Sequence, residues 1–104
     1  MNSKNKGNRG EVEFAHKLQE YGYNARRGQQ YCGTSGDADV IGLPGVHIEV
    51  KRVEKLNIHE AVKQSIRDAR PGEVPIVAHR KNRTDWLVTM TYDDWIALYR
   101  EAKA

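Results

Sequence analysis

The sequence holds one cysteine, Cys32, so no internal disulfide can form, and with no second cysteine near the four scattered histidines it lacks a zinc-ligand pattern. Disulfide scaffolds and zinc fingers are excluded. Long apolar runs are missing too: stretches such as Pro75-Ile76-Val77-Ala78 fall far short of the ~20 residues a membrane-spanning helix needs, and no membrane span is expected. The N-terminus, Met1-Asn2-Ser3-Lys4-Asn5-Lys6, is basic but is not followed by the apolar segment of a secretory signal, which predicts a cytoplasmic protein. No internal repeat or low-complexity tract is visible. The 104 residues, 38% hydrophobic and 30% charged, can bury roughly 60 to 70% of the unfolded surface around one modest core. A single domain over 1–104 is expected, with 1–9 as a flexible basic lead.

Seventeen Lys and Arg against fourteen Asp and Glu give a formal charge of +3 and a pI near 9.1, compatible with a polyanionic partner. The distribution is more telling than the sum. Lys4, Lys6 and Arg9 precede the first acidic residue, and Arg26-Arg27-Gly28-Gln29-Gln30-Tyr31 adds a second basic, glycine-containing segment. Each cluster is either a solvated face or part of a nucleic-acid track.

Helical and strand periodicities alternate at short intervals, which predicts a mixed α and β fold. Phe14, Ala15, Leu18 and Tyr21 recur at helical spacing within Glu11 to Tyr21, with Gly22 as the stop. A short strand over Tyr23 to Arg26 precedes a polar loop holding Gly28, Gly33 and Gly36. Asp39-Val40-Ile41 and Val46 to Lys51 form a hairpin candidate around the turn Gly42-Leu43-Pro44-Gly45. Asn57, with Glu60 three residues on, caps a second helix whose apolar or small stripe is Ile58, Ala61, Val62, Ser65, Ile66 and Ala69, stopped at Pro71-Gly72. Val74 to Ala78 and Trp86 to Met90 are two further strands. Thr91 with Asp94 opens a last helix bearing Trp95, Leu98, Tyr99 and Ala102. The expected order is αβββαββα.

Candidate chemistry sits on the hairpin. Strict alternation puts His47, Glu49 and Lys51 on one face of the second arm and Val46, Ile48 and Val50 on the other. Glu49 and Lys51 alone are no more than an exposed pair of opposite charges, but the turn also brings Asp39 beside Glu49. Two converging carboxylates repel, and a bound divalent cation with hard oxygen ligands, Mg²⁺ foremost, rationalises them best. Glu11 lies on the inward stripe of the first helix, either as a partner of the helix dipole or as part of a site at the edge of the core. Glu13 points elsewhere, and its replacement by Gln is expected to be almost silent.

These residues carry a resemblance. Gly36-Asp37-Ala38-Asp39-Val40-Ile41 followed by Ile48-Glu49-Val50-Lys51 resembles the bipartite motif of PD-(D/E)XK nucleases, with Ala38 in place of the name-giving proline. Lys6-Gly7, Glu11 opening the first helix, Arg27 ending the first strand and Ser35-Gly36 before the acids are similar to Holliday junction resolvases of the archaeal type and their phage-encoded relatives. The resemblance spans Lys6 to Lys51 and continues loosely to Gln64. The E-x-K tripeptide alone has little specificity; the ordered set on the αβββα order has much more.

The resemblance implies a restriction-endonuclease-like αβββαβ core with a central mixed sheet flanked by helices. It also implies a Mg²⁺-dependent DNA endonuclease of DNA recombination, with Mn²⁺ as the substitute metal. Asp39, Glu49 and the Val50 carbonyl would hold one or two ions, assisted by Glu11, and Lys51 would orient or deprotonate the attacking water or offset charge on the phosphate. Arg9, Arg26, Arg27 and Ser35 would contact DNA, and Gln64 and Asp37 are auxiliary candidates. His47 shares the catalytic face, either touching substrate or serving the structure. Trp86, Trp95 and Tyr99 are core or subunit-interface packing. Branched DNA is the expected substrate, and a homodimer the expected assembly, since resolving a junction takes two symmetric cuts. The alternatives are a flap or nick nuclease with the same residues, and a non-catalytic DNA-binding module of the same fold.

Overall fold

The structure, a computed structural model, describes residues 3–28 and 38–104, with side chains from Arg9 onward. Its elements are α1 (Ser3–Gln19), β1 (Arg26–Arg27), β2 (Val40–Ile41), β3 (Val46–Arg52), α2 (Ile58–Asp68), β4 (Val74–Arg80), β5 (Leu87–Thr89) and α3 (Tyr92–Ala102). This is the αβββαββα order read from periodicity. Among the described residues the strands form one mixed sheet in the order β1-β2-β3-β4-β5, parallel between β3 and β4, where α2 makes the crossover, and antiparallel in the other pairs. The result is an α/β fold compatible with a restriction-endonuclease-like core.

The two faces of the sheet differ. Phe14 and Ala15 of α1 pack with Ala25, Val40, Ile48, Val50, Ile76 and Ala78 in the main core, and the Trp86 ring lies 5.0 Å from that of Phe14. Alternation turns His47, Glu49 and Val77 to the opposite face, where α2 packs on β3 and β4 through its buried Ala61 and Ser65. Every residue from His47 to Val50 is therefore buried, as expected of a strand covered on both sides.

Both predicted caps are present. The Asn57 side chain accepts from the Glu60 amide at 3.2 Å and the Thr91 hydroxyl from the Asp94 amide at 3.2 Å. The start of α1 differs from expectation: the helix begins at Ser3, not Glu11, so the lead expected to be flexible over 1–9 is helical from Ser3. The apolar spacing that marks the helix begins only at Phe14, and a glycine inside a helix costs about 1 kcal/mol relative to alanine, yet α1 runs through Gly10. In the fold Gly10 is buried, and a Cβ there would stand 2.6 Å from the Cβ of Arg52. The absent side chain lets α1 lie directly on β3. The last helix also departs from its pattern, because none of its residues is buried.

Candidate active site

The hairpin and its neighbours set Asp39. Val40 pairs with Ile48, and the connecting turn passes through Gly42 at φ 105° and Gly45 at φ 81°, a region that favours glycine. The Asp39 amide donates to the Ile48 carbonyl at 2.9 Å, and the Val50 amide donates to Asp39 Oδ2 at 2.8 Å. From the other side the Gly28 amide donates to the Asp39 carbonyl at 2.9 Å. A Cβ on Gly28 would lie 1.9 Å from the Ala38 carbonyl oxygen, so this approach requires glycine.

Glu49 is 2% exposed, and its carboxyl is close enough to that of Asp39 for the two acids to act on each other. Burial, followed by the neighbouring Asp39 and the charge of Asp68, pushes the Glu49 carboxyl up to about 8, against a smaller downward pull from Lys51. A contact also comes from its own strand: His47 Nε2 lies 2.8 Å from Glu49 Oε1, and His47 is fully buried.

Glu11 reaches the same centre from α1. Burial raises its carboxyl above the ordinary range, opposed by the hydrogen bond from Arg27 and reinforced by the charge of Asp39. Arg27 Nε donates to Glu11 Oε2 at 2.9 Å while the arginine side chain remains 44% exposed. Asp39 is thus the acid that both Glu11 and Glu49 sense, with Lys51 the nearby cation acting on Glu49.

Two close carboxylates offer hard oxygens, and the raised Glu49 carboxyl marks an accumulation of negative charge that a divalent cation would relieve. The residues present fit such an ion. Among the described residues, however, no three His, Cys, Asp or Glu side chains converge closely enough to make a complete ligand set, so solvent or a phosphate oxygen would complete the coordination.

The remaining candidates are dispersed. Arg9 and Arg26 are exposed, with Arg26 donating to the Asn24 carbonyl at 3.1 Å. Gln64 is half-buried on α2. Ser35, Asp37 and Cys32 lie outside the described residues. Glu13 stands apart from the acids, as expected, but is not idle: it accepts from Trp86 Nε1 at 3.0 Å, pairs with the Arg80 guanidinium and faces Arg52 Nε at 3.8 Å. Glu13 thus ties α1 to β4 and to Trp86, a structural role that the sequence reading did not give it. Sequence reasoning overlooked Asp68, although its spacing from Ala61 and Ser65 on α2 places it on the face turned to the sheet. It also overlooked Glu73, whose Oε1 lies 3.8 Å from His47 Nδ1; no local pattern marks that residue.

A model of the family described as "Phage putative PDDEXK endonuclease" matches residues 2–104. No curated protein and no solved structure matches the chain.

Proposed function

The chain belongs to the phage PDDEXK endonuclease family, and from that premise we propose that it is a Mg²⁺-dependent, structure-selective DNA endonuclease that resolves branched DNA in the manner of a Holliday junction resolvase. The observation that carries the reading is the pair of acids, Asp39, held by the Val50 amide at 2.8 Å, and the buried Glu49 on which its charge acts, beside Lys51. Asp39, Glu49 and the Val50 carbonyl would hold the metal, with Glu11 assisting and Mn²⁺ as substitute. When bound, a divalent ion acidifies the attacking water and neutralises charge at the scissile phosphate. Lys51 orients that water or offsets the phosphate charge. Arg27, already held by Glu11, joins Arg9 and Arg26 in gripping flanking phosphates, contacts that add affinity without sequence information.

Paired symmetric cuts call for two copies of the site, and α3 supports a two-fold homodimer. Tyr92, Trp95, Leu98 and Tyr99 are about half to three-quarters exposed, at 71%, 48%, 54% and 49%. The Tyr92 and Trp95 rings lie 6.1 Å apart, and those of Trp95 and Tyr99 5.9 Å. Asp93 and Asp94 sit in the first turn and Arg100 in the last, so two antiparallel copies present opposite charges to each other.

A panel of four-way junction, flap, nicked and linear duplex DNA of equal length, in Mg²⁺ and in EDTA, tests the proposal. Metal-dependent cleavage favouring the junction supports it. Preference for flaps or nicks supports a different nuclease specificity, and tight binding without cleavage in either Mg²⁺ or Mn²⁺ supports a binding module. Asp39→Asn and Glu49→Gln are each expected to abolish cleavage while leaving junction affinity in EDTA within a few-fold of wild type. Near-normal turnover by Asp39→Asn under saturating Mg²⁺ removes the site.

A further inference from the structure

His47 is the one histidine among the described residues with no accessible surface, and it lies two residues before Glu49 on the same face of β3. Its Nε2 is 2.8 Å from Glu49 Oε1. Its Nδ1 is buried with no hydrogen-bond partner among the described residues; the nearest acid is Glu73, whose Oε1 at 3.8 Å is beyond hydrogen-bond reach and already accepts from the Arg70 amide at 2.8 Å. Leaving a buried nitrogen unpartnered costs about 1 to 3 kcal/mol. A side chain serving only to fill space between β3 and α2 would be better made of hydrocarbon, as Val77 of β4 and Ala61 of α2, both buried, are. The ring is therefore oriented by its contact with Glu49, at the expense of its other nitrogen.

We propose that His47 is a positioning residue for Glu49: it donates from Nε2–H to Oε1 and so fixes the carboxylate rotamer, leaving Oε2 as the oxygen presented to a divalent metal beside Asp39. The proposal rests on the metal-site reading of Asp39 and Glu49. An ionised carboxylate has only acceptor sites, so a donor is what this position must supply. Partners of this kind, behind the groups that touch the metal, hold a ligand's orientation and typically change metal affinity by about 10- to 100-fold when removed. His47 touches neither the metal nor the substrate in this arrangement and acts through Glu49.

The reach of the side chain is the testable feature. The amide nitrogen of a glutamine falls near the imidazole Nε2 position, whereas that of an asparagine falls near Nδ1 and is too short to reach Glu49. Mn²⁺ affinity of the free protein, measured by calorimetry without DNA, is expected to fall about 10- to 100-fold in His47→Asn and to recover most of that loss in His47→Gln, with both variants showing the wild-type far-ultraviolet circular dichroism. Should His47→Asn fail to fold, His47→Leu removes the same donor while suiting the apolar surroundings. In metal-free wild type, nitrogen-15 NMR should show a protected Nε2–H on His47. Mn²⁺ binding that needs Glu49 but is equal in wild type and the Asn or Leu variants overturns the positioning role alone. A wild-type chain that binds no Mn²⁺ overturns the metal-site reading and this proposal with it.

Discussion

Glu49 concentrates the electrostatic cost of this molecule: a carboxyl 2% exposed, beside a second acid, with its pKa pushed up to about 8. The direction of this shift sets a pH dependence. Between the ordinary carboxyl value, 4.5, and about 8 the folded chain retains a proton that the unfolded chain has released. The associated stability is thus fully present below 4.5 and is lost progressively as pH rises towards 8. Metal-free protein is expected to melt at falling temperature from pH 5 to pH 8, with Glu49→Gln showing a flatter profile and Mg²⁺ restoring wild type most at the alkaline end. Glu11, also raised, adds slope of the same sign, and His79, lowered by burial, opposes it around its own titration; comparing variant with wild type isolates Glu49. Equal slopes in melts taken in EDTA would contradict the assignment. At the same scale, Glu13→Gln weakens the tie from α1 to Arg80 and Trp86. It is expected to lower unfolding free energy in urea by about 1 kcal/mol with cleavage per folded molecule unchanged.

Among the elements, β3 organises the protein. It is buried on both faces, pairs with β2 and β4, and carries Glu49 and Lys51. Its distance from α1 is set by Gly10, where a Cβ would meet the Cβ of Arg52 at 2.6 Å and its Cγ at 3.3 Å. Gly10→Ala therefore opposes two effects, a helix-propensity gain of about 1 kcal/mol and an overpacking cost of typically 1 to 3 kcal/mol. The clash involves the root of the arginine side chain, not its mobile end, so the cost is expected to win. The variant should be less stable than wild type by denaturant unfolding and should cleave more slowly, because α1 carries Glu11 to the site; a stabilised variant would show that the helix shifts freely.

At the scale of the whole molecule the exposed aromatic face of α3 is the feature left to explain. An isolated eleven-residue helix is marginal in water, and none of α3 is buried in a single chain. Sedimentation at micromolar concentration is expected to give about twice the 11.9 kDa chain mass. Trp95→Ser with Tyr99→Ser should return it to monomer without unfolding the sheet. In mixtures with Asp39→Asn chains, wild type should produce nicked junctions in place of paired cuts. A monomer both free and on DNA would argue against junction resolution.

The order of elements, the caps at Asn57 and Thr91, the hairpin and the shared face of His47 and Glu49 were all legible from the chain, because each depends on local spacing: period two in a strand, 3.6 in a helix, a capping side chain three residues from its amide. That the charge of Asp39 acts on both Glu11 and Glu49 was legible only in part, since spacing shows which way a side chain faces but not which element comes to lie against it. The early start of α1, the bonds that occupy Glu13, the charge of Asp68 on Glu49 and the approach of Glu73 to His47 join residues far apart in the chain. They became definite only when α1 and α2 closed on opposite faces of the sheet, because burial and proximity are properties of packing, and no run of neighbouring residues encodes them.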